Sequence, residues 1–266
     1  PYYIPFSISD RATTHTNPAA SFLLSLFALP STRFSSRDLM SILEIPMVRQ
    51  RFGISESEFT TAARLVVQSG IRWGFDPEQR EAMSGVPSSE TGHTWLFGIE
   101  RLLLGYALPG DGTTLFEGRL PDRDVEGADA VTAGKLAHFA RSLNRFLESL
   151  NRPRSVVAWS RYTTDALHAF LSTDQETRAW FDQVQLIVTA IGDESRMAGF
   201  DEPVAGSVFA AALTQRLEAA AEHGRYMTRG VTFCSLLPFR GIPFKVVCLL
   251  GMNDGDFPRG DHPPAF

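Results

Sequence analysis

The residues best suited to chemistry lie near the end of the chain, between Gly230 and Arg259. Two short runs that favour strands are joined there by a turn and followed by a loop with two glycines and two acids. Arg240 stands in the turn and Arg259 in the loop. Loops at the carboxyl ends of parallel strands are where α/β domains bind ligands. The pattern therefore predicts either a ligand-binding edge or turns whose arginines are simply solvated.

The second of these runs, Phe244 to Leu250, is almost wholly apolar and is bounded by Pro243 and Gly251. Such a run is typical of a central strand that is buried on both faces. It therefore predicts the core strand of an α/β domain. Cys234 and Cys248, one in each run, are expected to be small core residues of a protein in the reducing cytoplasm.

Composition sets limits on the class of protein. The chain has 266 residues, of which 44% are hydrophobic and 21% charged, and this excludes a disordered or fibrous class. No apolar run approaches the ~20 residues that span a bilayer, so no membrane partner is expected. The net charge of -5 means that any polyanion must be bound by a local basic patch. The sequence contains no phosphate loop, HExxH zinc motif or nucleophile elbow.

The residues between the two chain ends show helical patterns. Asn17 precedes a proline at the start of the first helix, and Ser55 with Glu58 predicts a capping box. A strongly apolar helix is predicted over Thr94 to Leu108, where Gly98 and Gly105 would allow close approach by another backbone segment. Four amphipathic helices are expected after it, beginning near residues 136, 156, 180 and 204.

Three features of this helical part each allow a functional and a structural interpretation. Trp73 could stack on a nucleic-acid base if exposed, or could belong to the core. The loop Pro109 to Ala130 could bind a metal for phosphodiester hydrolysis, or could be solvated; its acids are Asp111, Glu117, Asp122, Asp124, Glu126 and Asp129. A set of arginines could form a phosphate-facing stripe, or could be scattered; its members are Arg141, Arg145, Arg152, Arg154 and Arg161.

The run from Cys234 to Arg259 resembles a signature of the RecC family, the gamma subunits of exodeoxyribonuclease V (RecBCD). The matching residues are Cys234, Leu236, Pro238, Arg240, Ile242 to Gly255, Pro258 and Arg259. The stretch HTW-x-FG-x-x-R-x-LLGYA, which begins at His93, carries the same resemblance.

More distantly, the same run is similar to motif V of the superfamily 1 helicases, which touches both DNA and the nucleotide. The helicase pattern has Thr, His, Lys and Glu where this chain has Ser235, Leu237, Arg240 and Pro243. Losing the imidazole and the acid removes groups that would couple ATP to DNA. The resemblance therefore implies a helicase fold without helicase chemistry.

The resemblance also implies an architecture. The segment Tyr2 to Ser9 is similar to a strand that precedes a large insertion in those helicases. The expected fold is therefore α/β, with a partial RecA-like parallel sheet built from the chain ends and a large, mainly α-helical insertion. Residues 1–16 and 223–266 would form the RecA-like part, and residues 17–222 the insertion.

For function, the resemblance implies a noncatalytic subunit that binds and guides DNA strands and scans for the Chi sequence. It would belong to an ATP-dependent helicase-nuclease of the cytoplasm that acts in double-strand break repair by recombination. The expected partners are single-stranded and forked DNA and the RecB and RecD subunits. No cofactor is expected in this chain, and ATP and Mg would be used by the partner subunits.

Four residues are expected to contact the DNA backbone or line its channel under this interpretation: Ser235, Arg240, Lys245 and Arg259. Two other functions stay open. The chain could be mainly a docking scaffold for partner subunits, or it could be a piece of an ATP-driven superfamily 1 translocase.

Overall fold

The computed structural model describes residues 6–8, 17–108, 113–122, 125–150, 152–223, 231–233, 244–250 and 252. These residues fall into two compact units. One is a helical body that contains every described helix. The other contains two short strands and the described residues beyond 243.

The described part of the helical body is built from ten α-helices and one short 3-10 helix at Leu29–Ser31. The α-helices are α1 (Pro18–Ala28), α2 (Ser36–Glu44), α3 (Pro46–Arg51), α4 (Glu56–Gln68), α5 (Pro77–Ser84), α6 (Trp95–Ala107), α7 (Ala128–Leu147), α8 (Val156–Phe170), α9 (Arg178–Met197) and α10 (Gly206–His223). None of these described helices has both the length and the apolar character that crossing a bilayer requires.

Short polar side chains start the helices where the sequence predicts. The Asn17 carboxamide oxygen accepts hydrogen bonds from two backbone N–H groups at the start of α1, at 3.0 and 3.2 Å. Ser55 and Glu58 form the predicted reciprocal capping box of α4. Helix α5 lies in a segment whose content of Gly, Pro, Ser and Glu is typical of a loop. Asp76 caps it and Gly85, in the left-handed conformation, ends it.

One contiguous apolar core runs through the helical body. Its largest fully buried side chains include Trp95, Trp159, Phe22, Phe139 and Phe209, which come from five different helices. Burial of a large apolar side chain stabilises a fold by roughly 1.5–3 kcal/mol. The core therefore holds the helices in fixed positions and gives their outer faces a defined geometry.

The two glycines of α6 lie at close contacts. A Cβ atom on Gly105 would lie 1.8 Å from the backbone carbonyl oxygen of Asp122. A Cβ atom on Gly98 would lie 2.2 Å from the Ile71 side chain. The predicted close backbone approach is confirmed at Gly105, whereas at Gly98 the neighbour is a side chain.

The second unit contains two three-residue strands, β1 (Phe6–Ile8) and β2 (Val231–Phe233), which pair in parallel. The predicted α/β class with a partial RecA-like sheet is nevertheless wrong. The described residues are mainly helical, and this short pair is the whole of their parallel strand structure. The boundaries predicted at residues 16 and 222 stay a prediction.

The predicted central strand Phe244 to Leu250 is not formed either. The run has no strand structure and is exposed along its length, with Val246 and Leu250 at 79% and 77%. Cys248 is exposed as well, contrary to the expected core position, and Cys234 lies outside the described residues. An apolar run becomes a central strand only where neighbouring strands and covering layers exist. The apolar composition of this run indicates only that it could be buried. It does not determine whether other strands or helices are present to cover it.

Candidate nucleic-acid interface

Lys245 is the one residue of the predicted DNA-contacting set that the structure describes. Its side chain is exposed within the apolar run that begins at Phe244. Ser235, Arg240 and Arg259 lie outside the described residues. The grouping of these four side chains at one DNA-contacting edge stays a prediction.

The arginines of α7, α8 and their connection, whose positions allow either a stripe or a scattered arrangement, fall into two kinds, and Arg154 is of the structural kind. Its guanidinium carbon lies 4.7 Å from the ring centroid of Trp159 and 4.5 Å from that of Tyr162. Its Nη1 atom donates a hydrogen bond to the backbone oxygen of Ser149 at 2.6 Å. Burial raises the pKa of Tyr162, whose ring forms part of this packing. Arg154 therefore holds the connection between α7 and α8.

Arg141 and Arg145 are of the second kind, because both are exposed and line a groove beside α7. The groove has a volume of about 310 Å³. It is lined by Leu103, Gly134, Ala137, His138, Arg141, Ser142 and Arg145. Neither arginine belongs to any of the ion pairs found among the described residues.

The amphipathic pattern of α7 explains why these groups face outward. Leu136, Phe139, Leu143 and Leu147 repeat at helical spacing and are buried in the core. Arg141 and Arg145 lie between these positions in the sequence and face away from the core. At Gly134 a Cβ atom would meet nothing within 4 Å, so the absence of a side chain leaves this part of the groove open.

The groove offers hydrogen-bond donors and positive charge. Arg141 and Arg145 are one turn apart, and four residues of α-helix rise about 6 Å along the axis. Guanidinium groups bind phosphate oxygens through paired N–H donors, and the Ser142 hydroxyl adds a further donor. No carboxylate lies among the described lining residues. This arrangement is suited to holding phosphate groups.

The acidic loop has a role that neither interpretation of the sequence anticipated. Asp122 is buried, accepts a hydrogen bond from Gln68 at 2.6 Å and lies 4.0 Å from Arg101. Asp129 forms an ion pair with Arg64 of α4. Asp122 therefore fixes the loop to α4 and α6, whereas Asp129 lies in the first turn of α7 and joins that helix to α4. Asp111 and Asp124 lie outside the described residues, and within the described ranges no group of three metal-ligating side chains comes together.

Comparison with known proteins adds a family relationship. The family model described as RecBCD enzyme subunit RecC fourth domain matches residues 16–221. The chain is similar to the RecBCD enzyme subunits RecC of Escherichia coli, Haemophilus influenzae and Mycobacterium tuberculosis, with 36%, 33% and 30% identity. These alignments cover 99%, 99% and 96% of the chain and 23% of each relative. The chain thus spans about a quarter of the length of these relatives.

Proposed function

Since the chain belongs to the RecC family, we propose that it is part of a noncatalytic DNA-handling subunit of a RecBCD-type helicase-nuclease. That subunit binds and guides single strands that emerge from forked DNA, and it scans one of them for the Chi sequence. RecB and RecD are its partners in the cytoplasm and use the ATP and Mg. Leu237 and Pro243, which replace the imidazole and the acid of the helicase motif, support a role without ATP coupling.

The observation that carries DNA binding is the pair of arginines in the α7 groove. The chain as a whole has a net charge of -5, so contact with a polyanion depends on local basic groups. Several other arginines are neutralised by acids in the described structure, such as Arg64 by Asp129 and Arg216 by Glu194. Arg141 and Arg145 have no such acid and stand one turn apart on an open surface.

The test is the salt dependence of DNA binding by the full-length protein assembled with its partners. The double substitution Arg141→Gln and Arg145→Gln should weaken binding to single-stranded and forked DNA. It should also reduce the slope of log affinity against log salt by up to about two units. The control is Arg178→Gln with Arg196→Gln, which removes the same charge from exposed ion-paired sites on α9. An unchanged slope in the groove variant would refute a phosphate contact there.

A docking scaffold is a second candidate function, favoured by an apolar groove between α9 and α10. This groove has a volume of about 240 Å³ and is lined largely by Ile187, Ala190, Ile191, Ala219 and Ala220. Leu186 and Met197 of α9 are also exposed. An Ala190→Glu variant would lose assembly with the partner subunits if this surface is a docking site. Intact assembly of this variant would refute a docking role for the groove.

A further inference from the structure

A second cluster of basic side chains surrounds Trp73, in the connection between α4 and α5. The guanidinium carbons of Arg33 and Arg80 lie 5.8 and 5.5 Å from the centroid of the indole ring. Trp73 is half-buried and Arg33 is exposed. Trp73 is therefore neither a core residue nor an isolated surface ring. Its partly accessible indole ring contacts two guanidinium groups.

The backbone around Trp73 is held in place from two sides. The N–H of Gly74 donates to the backbone oxygen of Arg33 at 2.9 Å, and the N–H of Trp73 donates to that of His93 at 3.3 Å. The N–H of Trp95 donates in turn to the oxygen of Gly74 at 2.9 Å. Because two separate segments of the chain fix the backbone of this short connection, the site is preorganised and little ordering is needed when a ligand binds.

Gly74 allows the second arginine to approach. Its φ of +76° lies in the left-handed region, and a Cβ atom would lie 3.1 Å from the Cβ of Arg80. Glycine thus permits both the backbone conformation and the close packing of the Arg80 side chain beside Trp73.

Arg80 is a buried cation that no described acid neutralises. Its residue is 4% exposed, its Nη1 atom donates to the oxygen of Gly92 at 2.6 Å, and its Nε atom has no hydrogen-bond partner. None of the ion pairs among the described residues includes Arg80 or Arg33. A buried charge without an acid is costly, and the aromatic ring offsets part of that cost. The site therefore keeps a positive charge that an anionic ligand would neutralise.

We propose that Trp73, Arg33 and Arg80 form a stacking platform for a base of single-stranded DNA. This inference rests on the proposed function, and the platform shares no residue with the α7 groove. A base stacks on the indole in place of the Arg33 guanidinium, and the exposed Arg33 side chain moves to the adjoining phosphate. Arg80 stays bonded to Gly92 and keeps the site positive. Because stacking uses the face of a base and not its edges, the platform holds a strand without reading its sequence.

Two oligonucleotides of equal length separate this platform from phosphate binding in general, one of thymidine and one abasic. The protein is used at full length, assembled with its partners. Trp73→Leu should weaken binding of the thymidine strand about tenfold and leave the abasic strand unchanged, since it removes one base-stacking contact. Trp73→Phe, which keeps a ring, should restore most of the affinity. Trp180→Leu is the matched control, because Trp180 is likewise accessible to solvent, at 39%, and lies outside the platform.

Photo-crosslinking of the wild-type protein to a strand that carries 5-iodouracil tests the same contact without a substitution. A crosslinked peptide containing Trp73 supports the platform, and crosslinks found only at other residues overturn it. If the wild-type protein binds neither oligonucleotide, the proposed function and the platform fall together. If it binds both and Trp73→Leu changes neither, the platform alone falls.

Discussion

Replacing Gly105 by alanine is expected to destabilise the helical body, although alanine is the better helix former. Gly105 lies inside α6, where the exchange by itself would favour the helix by about 1 kcal/mol. The new Cβ atom would lie 1.8 Å from the carbonyl oxygen of Asp122 and 2.8 Å from its carbonyl carbon. Both are backbone atoms, so no side-chain rotation can relieve the overlap. The segment at Asp122 and α6 must move apart by about 1.6 Å to restore ordinary contact.

The hydrogen bonds that this movement would break determine how far the free energy of unfolding falls. The N–H of Asp122 donates to the oxygen of Arg101 at 3.0 Å, and the Nε atom of Arg101 donates to the oxygen of Leu120 at 2.8 Å. Each such bond contributes about 1 kcal/mol. Overpacking itself costs about 1–3 kcal/mol. After the gain in helix propensity is subtracted, Gly105→Ala should lower the free energy of unfolding by about 2–4 kcal/mol.

Urea unfolding followed by circular dichroism measures this difference. With a slope of roughly 3 kcal/mol per molar urea, the midpoint should fall by about 1 M. Gly134→Ala is the matched control. It is also an interior helix glycine, but its Cβ atom would meet nothing within 4 Å, so the midpoint should stay or rise slightly. Equal midpoints for Gly105→Ala and the wild type would refute the close approach of the two backbone segments.

Two further substitutions test electrostatic and aromatic contacts. Glu58→Gln should lower stability by up to about 1 kcal/mol at neutral pH, because a hydrogen bond from Lys135 holds the pKa of Glu58 below its ordinary value. Stability from a lowered carboxyl pKa is present above the ordinary pKa and is lost as the pH falls through the lowered one, so the difference should vanish in acid; a pH-independent difference would contradict this origin. Arg154→Lys should lower stability by about 2 kcal/mol without changing DNA affinity, because an ammonium cannot stack flat on Trp159 as the guanidinium does. Weaker DNA binding at unchanged stability would place Arg154 in the interface instead.

Helices with apolar stripes were predictable from the sequence, and α5 shows the limit of that method. In α7 the buried side chains repeat at helical spacing, so the buried face and the outward arginines follow from the pattern. The one buried residue of α5 is Arg80, which gives no apolar stripe to detect. The other signals of α5 are its capping residues, Asp76 followed by a proline and then Gly85. The same residue types are common in turns, so without an apolar stripe between them they do not predict a helix.

The parts of the site that sequence reasoning could not reach depend on partners far apart in the chain. Arg154 and Arg141 look alike in the sequence, but only Arg154 folds against aromatic rings. Trp73 receives its cations from Arg33, some forty positions earlier in the chain, and from Arg80 in the helix that was not predicted. The apolar run after Pro243 shows the converse limit, because apolar composition favours a buried strand but does not encode the neighbouring layers that would bury it.

The pairing of β1 with β2 has a consequence for the order in which the chain acquires its structure during synthesis. Phe6 lies opposite Val231, so the two partners leave the ribosome about 225 residues apart. At roughly 5–20 residues per second, β1 waits on the order of 10–45 s for the strand it pairs with. The helical body draws its core from residues between the two strands and can be complete before that moment. The parallel pair then forms after the helical body, and a nascent chain stalled before residue 231 should show protected helices and an unpaired first strand.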